Sequence, residues 1–269
     1  MIFEAMSRED VERVGKENAS NTEQAFVLGD FTLYVDLQEE SIARHLSVDG
    51  FWEAWVTSWF TKTIKPGFIC VDAGANYGYF TRIMERLAGP LGYVYSIEAN
   101  PILHESLAQS IKDFPMQSGA QVNLINCALS DKSGSAVLKV FGNNFCNSTI
   151  LDTVQDADSK VTELQVYTKS LADIVLRGHF VNVVKLDIEG AEQLALKGME
   201  VLFDIGALGL VVFEVNPGVA KEKPRFIHEL FYKYDISIIG YDGEEYPCTY
   251  QHVSTSEEPM LLVLRKPKS

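Results

Sequence analysis

The sequence predicts an α/β fold built around a parallel sheet, on three observations. Residues 68–71 form a short apolar run without polar interruption, as is typical of a strand buried on both faces of a parallel sheet. A glycine-rich turn and a helical segment follow it directly. Strands and helices then alternate along the chain, and this βαβαβ order indicates parallel pairing with right-handed crossovers.

Length and composition indicate one globular domain. The 269 residues suffice for a single α/β domain with a sizeable core, and 46% hydrophobic with 22% charged residues is ordinary for a soluble protein. No apolar run is long enough to span a membrane, and the first residues are too polar for a signal peptide, so we expect a cytoplasmic location. We predict an N-terminal extension at residues 1–60 that packs on a core domain at residues 61–269.

Charge and cysteine usage narrow the classes of function. The net charge of −14 argues against a nucleic-acid partner, because basic side chains supply most of the affinity for phosphates. The cysteines are scattered without Cys-x-x-Cys spacing, which indicates neither a zinc site nor a disulfide framework. They are Cys70, Cys127, Cys146 and Cys248. Cys70 and Cys127 lie in apolar runs and are expected to be reduced core residues.

The first sixty residues predict three elements. Residues 1 to about 23 are either weakly ordered or a surface helix, and residues 25–37 indicate a hairpin that turns at Gly29. Residues 41–60 have helical periodicity, with an aromatic stripe of Phe51, Trp52, Trp55 and Trp59. We interpret the stripe as core packing against the sheet. The alternative is that part of it covers the substrate pocket.

The remaining chain supplies the sheet. We expect parallel strands at residues 68–71, 93–98, 122–128, 181–187 and 208–214, with helices that begin at Tyr79, near Ile102 and at Ala191. Between residues 133 and 167 the pattern changes, and 136–141 and 161–167 predict an inserted β-pair. A polar, flexible loop at 143–160 joins the pair and could border the acceptor site. A last strand pair is expected at 236–240 and 260–264.

The turn after the first strand argues against a dinucleotide. Gly-x-Gly-x-x-Gly sites need their later glycines for a close pyrophosphate and for helix packing, and counted from Gly74 those positions hold Asn76 and Tyr79. Asp72, at the strand tip, suits a ligand with a cationic end, such as S-adenosylmethionine. Glu98 ends the second strand where an acid meets ribose hydroxyls, a feature that NAD sites share.

Five motifs resemble, in order, those of the FkbM family of S-adenosylmethionine-dependent methyltransferases. They are VDAGANYGYFT (71–81), IEANP (97–101), NCALSD (126–131), VKLDIEGAE (184–192) and VVFEVNP (211–217). The resemblance implies the class I methyltransferase fold, which is Rossmann-like, with a seven-stranded, mostly parallel sheet and an antiparallel last strand. It also implies methyl transfer, mostly to hydroxyl oxygens of sugars, polyketides or related small molecules.

The resemblance also implies a cofactor site. Asp72, Gly74, Asn76 and Thr81 would meet the methionine end of S-adenosylmethionine, Glu98 its ribose, and Asn126, Cys127 and Ala128 its adenine. We include their neighbours Tyr77, Gly78, Asn100 and Asp187 in the predicted site. For Asn76 the alternative interpretation is a turn residue that tolerates a positive φ.

Asp187 is the leading candidate for a catalytic base, because it ends a buried strand in the crevice that Asp72 and Glu98 face. Lys185 precedes it by two residues and therefore projects to the same side of the strand. The alternative is that Lys185 and Asp187 form a structural ion pair. Glu189 is a candidate acid of the acceptor site. The neighbouring Glu192 is better explained by the favourable helix dipole at its helix start.

Glu214 completes the predicted catalytic set at the end of the next strand. With Asp187 and Asn216 it could form an oxygen-rich cation site, but two acids and an amide at strand ends are common in this fold. We therefore assign no metal and interpret the trio as acceptor-positioning residues. Among the histidines, only His45 is retained as a candidate base.

The predicted function is therefore methyl transfer from S-adenosylmethionine to a small-molecule or glycan acceptor. A catalytically silent module that binds S-adenosylmethionine is one alternative. An NAD-dependent oxidoreductase is another, which Asn76 and Tyr79 disfavour. The sequence does not specify the acceptor or the oligomeric state.

Overall fold

A computed structural model of the chain describes residues 6–18, 23–39, 41–141, 144–150 and 161–266. The strands are β1 (Gln24–Val27), β2 (Phe31–Tyr34), β3 (Ile69–Ala73), β4 (Tyr93–Glu98), β5 (Gln121–Asn126), β6 (Ala128–Leu129), β7 (Gly134–Phe141), β8 (Asn144–Thr149), β9 (Val161–Lys169), β10 (Val181–Leu186), β11 (Leu208–Val215), β12 (Asp235–Ile239), β13 (Glu245–Pro247) and β14 (Met260–Arg265). The helices are α1 (Arg8–Asn18), α2 (Ile42–Val48), α3 (Ala54–Thr63), α4 (Tyr79–Ala88), α5 (Pro101–Asp113), α6 (Leu171–Ile174), α7 (Glu192–Asp204), α8 (Pro217–Glu222), α9 (Pro224–Lys233) and α10 (Tyr250–Thr255), with a 3-10 turn at Gly89–Leu91. No helix within these ranges is long and apolar enough to cross a membrane.

The central sheet has the order β13-β12-β14-β11-β10-β3-β4-β5. The five strands from β11 to β5 are parallel, and β14 runs antiparallel between β11 and β12. The predicted fold class is confirmed, including its antiparallel strand. The sheet has eight strands rather than seven, because the loop after β12 turns at Gly243 and returns as β13. A three-residue strand that ends in proline gives almost no sequence signal.

Both faces of this sheet are buried, which explains the uninterrupted apolar strands. On β3, Cys70 belongs to the core that packs against α3 and α4, whereas Val71 belongs to the opposite core under α7 and α9. On β10, Val183 and Val184 divide in the same way. The sequence predicted strands buried on both faces of a parallel sheet, and this alternation confirms the prediction.

A second sheet, of order β6-β9-β7-β8, is inserted after β5. The predicted pair is present as a continuous antiparallel ladder between β7 and β9, from Gly134–Thr168 to Phe141–Val161. The prediction that 143–160 is a loop is wrong at Asn144–Thr149, because β8 pairs with β7 there. An edge strand is paired on one side only and needs little apolar patterning. Residues 151–160, the rest of the predicted loop, and the side chain of Cys146 lie outside the described part of the chain.

The N-terminal segment packs on the first core. The predicted hairpin is present as β1 and β2, and α1 buries Val11 and Val14 against α3. The prediction of one helix over residues 41–60 is wrong. The chain breaks it into α2 and α3, because Gly50 (φ +71°) and Glu53 (φ +39°) take left-handed backbone that a helix cannot contain.

The tip of β3 meets the tip of β10 at unusually close range. The Asp187 amide donates to the Ala73 carbonyl at 3.0 Å, which continues the strand pairing past the last residue of β10. Gly74 then turns with φ +80°, and a Cβ placed on it would lie 1.7 Å from the Asp187 carbonyl oxygen. The sequence needs glycine there for two separate reasons, the backbone angle and the missing space.

We expect Gly74→Ala to destabilise the protein more than Gly178→Ala. Gly178 has φ +89°, yet a Cβ there would have nothing within 4 Å, so its variant carries only the left-handed penalty of about 1–2 kcal/mol. At Gly74 the overlap with Asp187 should add about 1–3 kcal/mol. Urea denaturation of the two variants measures the difference in the free energy of unfolding. Equal losses would contradict the close approach.

Candidate active site at the strand tips

The turn after β3 is held by the neighbouring strand. The amides of Gly74 and Ala75 both donate to the Ile97 carbonyl, at 2.9 and 3.0 Å, and the Asn76 amide donates to Glu98 Oε2 at 2.8 Å. Gly78, with φ +94°, then starts α4. Asn76 has φ +53°, so the turn-residue interpretation applies to it. It also lines the cavities described next.

A first cleft of about 560 Å³ opens beside this turn. Gly74, Asn76 and Glu98 form its polar side, while Asp187 and Glu189 border it at the β10 tip. Its apolar wall comes from α5, from the chain after β5, and from the inserted sheet, and consists of Leu103, Cys127, Ala128, Leu129, Leu138 and Ile150. Leu138, Ser148 and Ile150 were not predicted individually as site residues, although Ser148 and Ile150 belong to the segment 143–160 that was expected to border the acceptor site.

Glu98 is engaged on both carboxylate oxygens. Besides the Asn76 amide, it accepts the Asn100 amide on Oε1 at 2.8 Å. Burial raises the pKa of Glu98 to about 7, although these two amides favour its charged form. The carboxylate therefore fixes the turn and still faces the first cleft.

Several predicted cofactor residues lie behind the cleft. Thr81 is fully buried and donates to Asp72 Oδ2 at 2.6 Å, while the Asn100 side chain accepts from Ile102 and caps α5. The Asn126 side chain donates to the Glu98 carbonyl at 2.8 Å. Together with Gly78, these residues do not line the cavities and instead position the residues that do.

Asp72 is buried beneath the turn. Burial raises its pKa, while Lys185 and the Thr81 hydroxyl oppose that rise. Its second oxygen, Oδ1, is buried without a hydrogen-bond partner in the described structure. The strand tip therefore carries a buried carboxyl group whose charged form the neighbouring lysine and the Thr81 hydroxyl favour.

A second cleft of about 450 Å³ adjoins the first and shares Gly74, Asn76, Asp187 and Glu189 with it. Lys185 also lines it. Its walls are mostly aromatic and include Ile42, Trp52, Tyr77, Tyr79 and Phe80. Of the predicted aromatic stripe, Trp52 covers this cleft, whereas Trp59 is a core residue. The two interpretations of the stripe thus apply to different members of it.

A third, narrower pocket of about 270 Å³ lies between the tips of β10 and β11. Glu53 and Glu214 line it together with Lys185 and Asp187. The rest of the lining is apolar and comprises Val56, Leu186, Val212, Phe213 and Leu261. Asp187 borders all three cavities, so ligands in any of them would meet at its carboxylate.

Lys185 and Asp187 form the ion pair that was one of the two interpretations. Lys185 Nζ lies 2.9 Å from Asp187 Oδ2 and 4.7 Å from the centre of the Phe80 ring. Burial opposes the lysine's charge, but the carboxylates of Asp187, Asp72 and Glu53 prevail and raise the pKa of Lys185 above its usual value. The lysine is a permanent cation, and 41% of the Asp187 side chain stays exposed.

Acids surround this pair. Partial burial, together with the charges of Asp187 and Glu192, raises the pKa of Glu189 to about 8. The remainder of the residue is exposed, so water moderates the effect. Burial and Asp187 also raise the pKa of Glu214. Glu192 accepts the amides of Ile188 and Gly190, at 3.2 and 3.1 Å, and so orders the loop before α7.

The remaining candidates from the sequence are the histidine base and a metal site. His45, on α2, donates from Nδ1 to Asp49 Oδ2 at 2.6 Å and lines none of the three cavities. Across the described ranges, no group of three or more His, Cys, Asp or Glu side chains is arranged to hold a metal ion.

Glu53 is the acid of the site that was not predicted from the sequence. Its only local signal is a position just before α3, within residues 49–67, a segment upstream of the five motifs that also resembles the segment leading into the first strand in the FkbM family.

Comparisons with known proteins agree with this geometry. A model of the FkbM methyltransferase domain matches residues 72–235. Methyltransferase sdnD of Sordaria araneosa is 28% identical over 158 residues, which cover 48% of this chain and 60% of that protein. The chain therefore spans less than two thirds of this curated relative's length.

Solved structures with a related fold include two methyltransferases. Precorrin-6y C5,15-methyltransferase of Geobacter metallireducens GS-15 is 11% identical, with 87% of this chain and 94% of that chain covered and a TM-score of 0.47. An S-adenosylmethionine-dependent O-methyltransferase of Thermotoga maritima is 10% identical, with 81% and 65% covered and a TM-score of 0.43. The family match covers more than half of the length of this chain, so this chain belongs to the FkbM methyltransferase family.

Proposed function

We propose that this protein transfers the methyl group of S-adenosylmethionine to a hydroxyl of a small molecule, such as a sugar or a polyketide. One observation carries the proposal: three cavities meet at Asp187, at the carboxyl ends of β3, β10 and β11. In open α/β sheets, ligands bind at this edge. A donor in one cavity and an acceptor in another would therefore come together at a single carboxylate.

The residues of the first cleft fit the nucleoside part of the donor. Glu98 offers a carboxylate to ribose hydroxyls, and the apolar wall around Cys127 and Leu129 suits a flat base. Burial raises the pKa of the Cys127 thiol to about 11, so it contributes an inert surface rather than a nucleophile.

The residues at the junction fit the cationic end of the donor. When bound, S-adenosylmethionine would supply an electrophilic methyl group on a positively charged sulfur. Asp187 and Glu189 line the junction and Asp72 lies buried beneath the Gly74 turn, and carboxyl groups in this arrangement favour a cation over a phosphate. The side chains of Asn76 and Tyr79 stand where a dinucleotide site needs glycine, which argues against the NAD-dependent alternative.

The second cavity would receive the acceptor, and the narrow third pocket has room for a single hydroxyl group of it. Trp52, Tyr79 and Phe80 supply mostly apolar walls to the second cavity. Asp187 is oriented by Lys185, so it can accept a hydrogen bond from an acceptor hydroxyl at a fixed position. Positioning of this kind accounts for much of the rate of a displacement reaction.

Isothermal titration calorimetry should detect binding of S-adenosylmethionine and no comparable binding of NAD. The expectation follows from the acidic junction and from the side chains at Asn76 and Tyr79. S-adenosylhomocysteine keeps the nucleoside and the amino-acid end but lacks the methyl group and the positive sulfur, so it serves as a control for the contribution of that charge. Tight binding of NAD without binding of S-adenosylmethionine would overturn the proposal in favour of an oxidoreductase.

Glu98→Gln should weaken S-adenosylmethionine binding roughly ten- to a hundredfold, as expected for the loss of a hydrogen bond to a charged group. A glutamine offers one acceptor oxygen in place of the two that hold the amides of Asn76 and Asn100. Glu105→Gln is the matched control, because Glu105 is an exposed acid on α5 that lines none of the cavities. Calorimetry measures both affinities, and equal values for the two variants would count against the assignment of Glu98.

Asp187→Asn should lower the turnover of an acceptor at least about tenfold and change the affinity for S-adenosylmethionine much less. The amide keeps the shape of the side chain but loses the charge that Lys185 holds in place. Product S-adenosylhomocysteine, measured across a panel of sugar and polyketide hydroxyls, gives the rate. Binding without turnover of any acceptor by the unaltered protein would favour the catalytically silent alternative.

A further inference from the structure

Glu53 occupies an unusual position at the start of α3. Its backbone is left-handed, with φ +39° and ψ +65°, and its side chain makes no capping hydrogen bond to the helix. It lines the third pocket together with Glu214, Lys185 and Asp187. The N-terminal segment thus delivers a carboxyl group to the strand tips, where the family motifs supply the other charged residues.

We propose that Glu53 is the general base that accepts the proton of the acceptor hydroxyl, which binds in the third pocket. The inference rests on the proposed function and adds a catalytic residue to it. In the reaction, the acceptor oxygen forms a bond to the methyl carbon and the carbon–sulfur bond breaks. Its electron pair neutralises the positive sulfur, and the hydroxyl proton passes to the Glu53 carboxylate.

The other acids of the pocket are engaged elsewhere. Asp187 has one oxygen bound by the Lys185 ammonium at 2.9 Å. The side chain of Glu214 is hydrogen-bonded to Asn216. Glu189 is largely exposed and does not line the third pocket. Glu53 lines this pocket and, in the described structure, its carboxyl group is not engaged in such an ion pair or hydrogen bond.

The electrostatics of Glu53 suit this role. Burial, together with the charges of Asp187 and Glu214, raises its pKa to about 7, and Lys185 moderates the rise. Tyr79, the other titratable group beside it, stays neutral because burial raises its pKa and its hydroxyl is bonded to Thr57 at 2.8 Å. A base is most effective when its pKa lies near the working pH.

The direction in which kcat/KM changes with pH follows from the pKa of Glu53. Below about pH 7 Glu53 is protonated and cannot accept a proton, and above it the carboxylate is available. We expect kcat/KM to rise with pH through this value. Glu53→Gln should lower kcat/KM roughly a hundredfold or more and abolish the rise, whereas Asp187→Asn should keep it.

A titration of the full chain tests the inference without turnover. Protein isotope-labelled at the glutamate carboxyl carbon should show a resonance that titrates near pH 7 and is missing in Glu53→Gln. Adding S-adenosylmethionine should lower its midpoint, because the positive sulfur would lie close by. S-adenosylhomocysteine, which lacks that charge, should lower it much less.

The chain provides an internal control. Burial raises the pKa of Glu85 to about 7 as well, against the effect of Arg82, but Glu85 lines none of the three cavities. Its resonance, identified with Glu85→Gln, should titrate in the same pH range, and its midpoint should not change when either ligand is added. Unfolding midpoints of the variants show whether each is folded.

Two results would overturn the inference. One is a Glu53 resonance that titrates at the usual glutamate value, and the other is a midpoint that S-adenosylmethionine leaves unchanged although calorimetry shows that it binds. If calorimetry shows no binding, the proposed function itself fails. The two failures are therefore distinguishable.

Discussion

The site depends on the crossing of two backbones, at Gly74 and Asp187. Parallel pairing of β3 with β10 continues into the Asp187 amide, and Gly74 then turns away with no room for a side chain. This contact fixes the glycine-rich turn against the start of the loop before α7. Because the three cavities of the site all border Asp187, the same contact sets where they meet. A strand-tip contact thus determines the geometry in which a donor and an acceptor could be aligned.

The second constraint is electrostatic. A single buried lysine, Lys185, balances Asp187 and moderates the charges of Asp72 and Glu53. Because these acids outnumber it, burial and mutual repulsion move the pKa values of several carboxyls toward neutrality. Lys185 holds Asp187 in an ion pair at 2.9 Å, whereas Glu53 lines the same pocket without such a partner in the described structure. This difference is the basis for the roles proposed for the two acids, orientation for Asp187 and proton transfer for Glu53.

Sequence patterns predicted the sheet well because its strands are buried on both faces. Cys70 and Val71 enter opposite cores, so the strand is apolar without interruption and easily recognised. The break between α2 and α3 was missed, because the left-handed backbone at Glu53 follows from tertiary packing and not from residue type. Strand β8 was missed for a related reason, since its polar sequence pairs on one side only. The motifs likewise suggested Thr81 and Asn100 as ligand contacts, although both support the turn from behind.

The division between predicted and missed residues has a physical cause. Residues beside the turn lie in continuous motifs, because a strand, a turn and a helix start are adjacent in the chain. The cavity walls are assembled from distant segments: Trp52 and Glu53 come from the N-terminal region and line the second and third cavities, whereas Leu138 and Ile150 come from the insertion and line the first. The Thr149 hydroxyl donates to the Glu189 carbonyl at 2.8 Å, so the insertion also contacts the β10 loop. Changes in the N-terminal segment can therefore reshape the second and third cavities while the Gly74 turn stays the same, which would let one donor site serve different acceptors.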